Sequence, residues 1–467
     1  MKNSILLLSN DLRIEDNTAL INSLKNSDYV YIVYILNPND IIVKKDKHKK
    51  LNMVLFLIES LNELNFELEN LGSKLYFFYD NNILLTIKKI IKETNASSIY
   101  VNINQKKNDF FKYRNSSIIT FTKKNNINFK SYEDNKIFSS DVKKSDDEPY
   151  ISFKCYYKKS LDILNKNDSF YKSIIKKSGK KPSKKLLKKL ASNNIVLSDE
   201  TNLLNFSENI LEIYKKERGN FNINRFLKGG TKNANKNLNE WNNFSNNAFL
   251  SPYIKFGCIS ISKIFNKLLD LDTDQDNKNK MIKKILLYKF FVMNSNILES
   301  RNKMIINKYV IDQKLFNYFT SGISGFISID YLIRKMKYNG YLSDFERKIL
   351  LSFFIKENAF NIYIISDLFE RFIIDYDKRI FMGNAIYFLN KNSETIDIWK
   401  ILENFDLKDV RILIPELKLV PDNHIKEWYN YYLEYPKIYP KPLSMPNSIE
   451  DIKKNAKLNL IKAKQKN

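Results

Sequence analysis

Two cysteines, two histidines and three tryptophans in 467 residues leave little material for several common chemistries. Cys155 and Cys258 stand too far apart in the chain for their spacing to suggest a metal cluster. His48 and His424 are the only histidines, so a zinc centre or a Ser-His-Asp triad lacks its parts. Two cysteines without a disulfide framework fit a reducing compartment, and a cytoplasmic location is expected. The ten glycines include neither a G-x-G-x-x-G nor a P-loop, which leaves a conventional dinucleotide or NTP site unsupported. No apolar run approaches the roughly 18 residues of a membrane span. Met1–Ser9 is too short for a signal sequence, and Asp11 follows it closely. These absences point to a soluble protein with no membrane partner, and a monomer is expected.

Positive charge is abundant. Lys and Arg number 77 against 52 Asp and Glu, a formal charge of +25. Such an excess suits a polyanion, nucleic acid first. The competing explanation is coding bias, because the chain is crowded with Lys, Asn and Ile. Apolar residues make up 43%, enough for a sizeable core, and the length fits two or three domains.

Residues 4–103 alternate strand and helix. The runs 4–9, 29–35, 74–79 and 98–103 are short, β-branched and aromatic, and predict buried strands. Leu51–Leu71 has helical spacing, with Gly72 as its stop. This alternation predicts a parallel, Rossmann-like sheet that binds ligands beyond its strand C-termini. Ser173–Asn194 is lysine-rich and predicts a solvated connection with some helix. Leu203–Lys216, Ile261–Leu271, Met281–Leu298 and Ile349–Phe372 all have helical spacing. The expected architecture is an α/β domain over 1–130, a linker over 131–200 and a larger all-α domain over 201–467. Within the last, Gly340–Tyr387 is apolar almost all round a helical wheel yet carries or adjoins Glu346, Arg347, Asp375 and Asp377. Charges so placed are costly unless paired. They form either a structural ion pair or the walls of a polar cofactor site.

Leu6–Leu20 reads LLLSNDLRIEDNTAL, a strand running into D-L-R-x-x-D-N-x-A-L. Asp16 or Asn17 is placed to cap the next helix, and Asp11 to pair with Arg13. As a string, this segment resembles the opening of the DNA photolyase/cryptochrome family. Asn247–Ser260, NAFLSPYIKFGCIS, resembles the family's T-S-x-L-S-P-Y-L-x-F-G-x-I-S, which holds the flavin phosphates. Backbone N–H groups at a helix start suit a diphosphate. Leu350–Lys356 resembles A-S-F-L-x-K, and Asp375-Tyr376-Asp377 resembles the D-G-D flavin motif. Ile412–Leu417 with Val420-Pro421 resembles W-x-P-E-L-x-x-V-P, and Tyr439–Pro442 resembles Y-P-x-P-I. The resemblance spans nearly the whole chain and is nearest to bacterial photolyases of cyclobutane pyrimidine dimers, with a divergent flavin domain.

It implies an α/β antenna domain joined to a helical FAD-binding domain, with UV-damaged DNA as partner. The implied reaction is light-driven: reduced, excited FAD gives an electron to a pyrimidine dimer, the dimer splits and the electron returns. Asn247, Leu250, Ser251, Arg347, Asp375 and Asp377 fall on cofactor-binding positions, Arg347 on the arginine that pairs with the first Asp of the motif. Asp377 falls on the carboxylate facing the flavin ring edge. Tyr288 and Tyr387 replace the two substrate tryptophans, Lys289 replaces an arginine at a DNA phosphate, and Asp344 replaces an asparagine that touches the damaged bases. Asn108-Asp109 falls where members with a folate-type antenna (methenyltetrahydrofolate) have Asn-Glu. Scarce histidine speaks against the 6-4 photoproduct class, whose acid step uses it. The departures at Asp344 and Phe381 also fit a non-catalytic relative that binds flavin or DNA without repair, cryptochrome-like or eroded.

The family's tryptophan relay falls partly on Ile362 and Ala385, which cannot be oxidised. Tyrosines nearby must shed a proton of pKa about 10 to take over. Blue light is therefore expected to reduce oxidised flavin in this protein weakly or not at all. Absorbance showing reduced flavin accumulating at rates usual for the family would contradict this.

Overall fold

The computed structural model describes residues 1–41, 50–103, 109–134, 142, 144, 148–166, 180–218, 227–240, 249–270, 275–306, 313–358, 360–390 and 396–440. They fall into two compact units, Met1–Leu287 and Tyr288–Asn467. Each is described by itself.

The first unit is built on five parallel strands: β1 (Asn3–Leu7), β2 (Tyr29–Leu36), β3 (Leu75–Tyr79), β4 (Ala96–Ile103) and β5 (Asn128–Glu133). Their order is β3-β2-β1-β4-β5. The four predicted strands are there because their Val, Ile, Leu and aromatic side chains are buried on both faces, as a helix-covered parallel sheet requires. The fifth strand, NFKSYE, is a half-buried edge strand without an apolar run, so its sequence carries no strand signal. Helices α1 (Thr18–Asn26), α2 (Leu51–Glu69), α3 (Ile83–Thr94) and α4 (Asp109–Lys124) connect the strands. Gly72, just past α2, has φ +76°, the left-handed value expected of a helix stop.

The lysine-rich connection is only partly solvated. Residues 167–179 lie outside the described residues. Beyond them the chain runs along β2: Val30 N–H donates to Lys189 O and Ala191 N–H to Val30 O, both at 2.9 Å. The pairing of β2 with β3 begins only at Ile32, so the edge of Val30 is open to this contact. Leu190, Ala191 and Leu197 are buried there.

The N-terminal corner differs from the local pairing expected of it. Asn17 does cap α1, accepting from Leu20 N–H at 2.9 Å. Arg13, however, pairs with Asp134, just past β5, and not with Asp11. Asp11 accepts from Ser9 N–H and Asn102 Nδ2, each at 2.7 Å. Burial pushes its carboxyl up to about 6. The crevice between β1 and β4, where strand order reverses, is thus filled by the chain's own polar side chains. Short helices follow in the same unit: α5 (Phe153–Lys166), α6 (Lys184–Leu187), α7 (Leu203–Arg218), α8 (Thr231–Asn239), α9 (Ser251–Phe256) and α10 (Ile261–Asp270). The end of α9 locks onto the corner. Leu12 N–H donates to Phe256 O at 3.2 Å, and Arg13 Nη1 to Gly257 O at 3.0 Å. Gly257 has φ +67°, and a Cβ there would lie 2.0 Å from Asn10 O, so only glycine fits.

The division between units falls within α11 (Gln275–Ile306). The second unit is helical: α12 (Gln313–Ser321), α13 (Ile327–Asn339), α14 (Asp344–Leu351), α15 (Ile362–Phe372), α16 (Lys378–Asn390) and shorter turns to Glu434. The continuous helix expected over Ile349–Phe372 is instead three pieces. A π-helical segment, Ser352–Glu357, follows α14, and the chain breaks before α15. Asparagine chemistry explains the break. Asn358 Nδ2 returns to Phe353 O at 2.9 Å, and Asn361 caps α15 by accepting from Tyr363 N–H at 2.9 Å. Phe316, Phe319, Phe326, Phe353, Phe354 and Phe360 form the aromatic core beneath it. The C-terminal motifs fasten this unit. Buried Asp330 accepts from Ser324, Gly325 N–H and Tyr439 Oη, the last at 2.7 Å, while Arg334 pairs with Glu416.

Asp134→Ala leaves the buried Arg13 guanidinium without its carboxylate. A loss of about 3–5 kcal/mol from the unfolding free energy of the first unit is expected, read by urea denaturation; a loss under about 1 kcal/mol would contradict this account of the corner.

Candidate functional site

The charged cluster of the second unit begins with a capping box. Glu346 N–H donates to Ser343 Oγ at 3.3 Å, and Glu346 Oε2 accepts from Ser343 N–H at 2.7 Å. Lys335 Nζ holds the other oxygen of Glu346 at 2.6 Å. These contacts set the start of α14 and therefore the position of Arg347. Arg347 Nε donates to Leu342 O at 2.8 Å, and Nη2 lies 2.7 and 2.9 Å from the two oxygens of Asp375. Asp375 is brought there by Ile374 N–H, which donates to Gly340 O at 2.8 Å. The Asp375 side chain is only 5% exposed. Opposing its burial, it holds the guanidinium above its ordinary pKa. The guanidinium also lies over the Tyr341 ring, 5.5 Å from its centroid. Its Nη1 has no hydrogen-bond partner among the described residues.

Asp377 has a partner that sequence reasoning did not identify. Arg379 donates to it through Nε at 3.0 Å, Nη2 at 2.6 Å and its backbone N–H at 2.9 Å. The only sequence signal was a basic residue two positions after the second Asp. Half-buried Tyr288, on α11, lies close enough to Asp377 and Arg379 for their charges to act on its phenol. Burial, then the Asp377 carboxylate, pushes that phenol well above its ordinary pKa, so it keeps its proton. Arg347, Asp375, Asp377, Arg379 and Tyr288 are thus brought together.

The other candidates are placed as follows. Lys289 is half-buried beside Tyr288, and Asp344 is exposed in the first turn of α14. Tyr387 lies in α16, its side chain outside the described residues, as are Asn247, Asn108 and the side chain of Asp109. In the first unit Leu250 is buried, and Ser251 opens α9 without a side-chain cap. Phe381 packs between Phe369 and Tyr376, at 5.1 and 6.0 Å between centroids. Ile362 and Ala385 are fully buried. Gly383 lets α16 approach α11: a Cβ there would lie 2.4 Å from Phe291 Cδ1. Tyr363, beside Ile362, donates its phenol proton to Glu299 at 3.0 Å.

A guanidinium with a spare N–H, two carboxylates and a protonated phenol, among Phe and Ile side chains, fit a group that combines polar edges with an aromatic face. A flavin is such a group. The comparisons agree. A family model described as "DNA photolyase" matches residues 4–172. One described as "FAD binding domain of DNA photolyase" matches residues 279–460. The chain belongs to the DNA photolyase/cryptochrome family. It is 25% identical to a deoxyribodipyrimidine photo-lyase of Buchnera aphidicola, over 93% of each chain. It is 22% identical to a (6-4)DNA photolyase of Arabidopsis thaliana, over 95% of this chain and 86% of that one. Its fold is similar to the crystal structure of a bacterial class III photolyase from Agrobacterium tumefaciens, with TM-score 0.79 and 17% identity over 100% and 98% of the two chains. No helix among the described residues is long and apolar enough to cross a membrane.

One further carboxylate stands out. Glu357 closes the π-helical segment, and its Oε1 is buried without a partner. Burial, then Asp397, pushes it up to about 8 from 4.5. The folded protein therefore holds a proton that the unfolded chain releases, and stability falls as pH rises from about 4.5 to about 8. Glu357→Gln is expected to be roughly 1–3 kcal/mol more stable than the parent at about pH 8.5 and to match it near pH 4.5. Urea denaturation at both pH values checks this; an equal difference at the two would contradict it.

Proposed function

We propose that this chain is a light-driven DNA repair enzyme, a deoxyribodipyrimidine photo-lyase that splits cyclobutane pyrimidine dimers with FAD as its cofactor. The observation that carries the reading is the half-buried cluster of Arg347, Asp375, Asp377, Arg379 and Tyr288 within a unit of the FAD-binding family. FAD held there would supply light-driven electron transfer to the dimer. The residues hold and orient. Asp375 keeps Arg347 charged and in place, leaving Arg347 Nη1 to donate to an oxygen of the cofactor. Asp377, steadied by Arg379, offers a carboxylate that accepts from a ring N–H. Tyr288, protonated, presents an aromatic face to a base taken out of the stack, a contact worth about 1–3 kcal/mol. By the family resemblance Tyr387 takes the place of the second substrate tryptophan, and Lys289 meets a phosphate as a point charge. Extruding the dimer costs a few kcal/mol, less than for an intact pair.

A second reading, a flavoprotein without repair activity, is favoured by one observation: exposed Asp344, which accepts only and repels phosphate. The two are separated with pre-reduced protein, an oligonucleotide carrying a single thymine dimer, and blue light. Splitting above the dark control is expected. Bound flavin with no splitting would leave the second reading.

A further inference from the structure

Helices α13 and α15 each bring a cation to one ring. Lys337, in the last turn of α13, donates through Nζ to Thr320 O at 2.7 Å and to Ser321 O at 3.0 Å. Its Nζ lies over the Phe372 ring, 5.9 Å from the centroid. Arg371, in the last turn of α15, lies over the same ring at 5.0 Å. Both side chains are half-buried. Burial, then the charges of Arg371 and Arg334, push the Lys337 ammonium down to about 8; Asp330 acts the other way, and most weakly. The charges around the pair have other work. Arg334 is matched by Glu416, and Asp330 is bonded to Ser324, Gly325 and Tyr439. Asp367 and Glu370, carboxylates of α15, lie close enough to Tyr376 for their charges to act on its phenol. Arg371 itself has no ion pair or hydrogen bond among the described residues.

Bonding the last carbonyls of α12 is reason enough for Lys337. It is no reason for a second half-buried cation held against the first, which costs repulsion unless an anion relieves it. A nucleic-acid backbone is met by a row of exposed cations. Two half-buried cations at one point suit a small ligand, and a guanidinium fork beside an ammonium matches the several oxygens of a phosphate group. We propose that Lys337 and Arg371 form a binding site for a small oxyanion of the phosphate class, inorganic phosphate or a phosphomonoester, held by the Arg371 fork and by Lys337 Nζ. The site stands apart from the flavin and repair readings and does not depend on them.

The test uses the full chain with its flavin and reads acetylation of Lys337 by N-acetoxysuccinimide at pH 8, by peptide mass spectrometry. Inorganic phosphate is titrated against chloride at constant ionic strength. A bound oxyanion covers the amine and favours its protonated form, so phosphate is expected to slow labelling of Lys337 about fivefold or more, with other lysines unchanged. Arg371→Gln removes both the fork and the repulsion. It should slow labelling in chloride and abolish the effect of phosphate. Arg371→Lys, which keeps the charge, should retain part of the protection. Circular dichroism like that of the parent shows that each variant is folded. Labelling of the parent that phosphate leaves unchanged overturns the site, as does parent-like protection in folded Arg371→Gln. Protection by an undamaged DNA duplex but not by phosphate overturns it too, and assigns the pair to a nucleic-acid backbone.

Discussion

A carboxylate on a side chain only 5% exposed has to be neutralised or bonded, and the second unit is arranged around how that is done for Asp375. The guanidinium of Arg347 meets both its oxygens. That contact needs α14 to start where it does, which the Ser343–Glu346 capping box and Lys335 secure. It also needs the 373–376 turn beside Gly340, which the backbone bond from Ile374 supplies. A buried pair of this kind adds little net stability over apolar residues of the same size. Its use lies in placing a charged donor with an N–H to spare at the edge of a half-buried polar cluster.

The first unit shows the same economy in a different place. Arg13 joins three distant parts of the chain: the turn after β1, Asp134 beyond β5, and the Gly257 carbonyl at the end of α9. The segment that resembles the family's opening motif and the segment that resembles its phosphate-binding motif are therefore one structural joint. Gly257 is obligatory there because two backbones meet with no room for a Cβ. The switch point of the sheet is closed by Asp11, Asn17 and Asn102, which bond one another.

Much of this was legible in the sequence. Strands β1 to β4 announced themselves because burial on both faces demands unbroken apolar runs, and the pairing of Arg347 with Asp375 followed from the family motif. What was not legible depended on contacts distant in the chain or on local side-chain competition. Arg13 chose a partner 121 residues away over the aspartate two residues before it. β5 is polar because it lies at an edge. The apolar run over Ile349–Phe372 hid a break made by two asparagines. Arg379 escaped notice because a basic residue near a carboxylate is common in so basic a chain, and only the fold shows which pairs form.

The central claim is that the Arg347–Asp375 pair serves a cofactor and not the fold alone. The most direct measurement is the flavin content of Arg347→Leu/Asp375→Leu, which removes both charges together and leaves neither unpaired. The account predicts a folded protein, with far-UV circular dichroism like that of the parent, that copurifies with FAD and reconstitutes with it at least tenfold more weakly. A folded double variant that retains FAD as the parent does would contradict it.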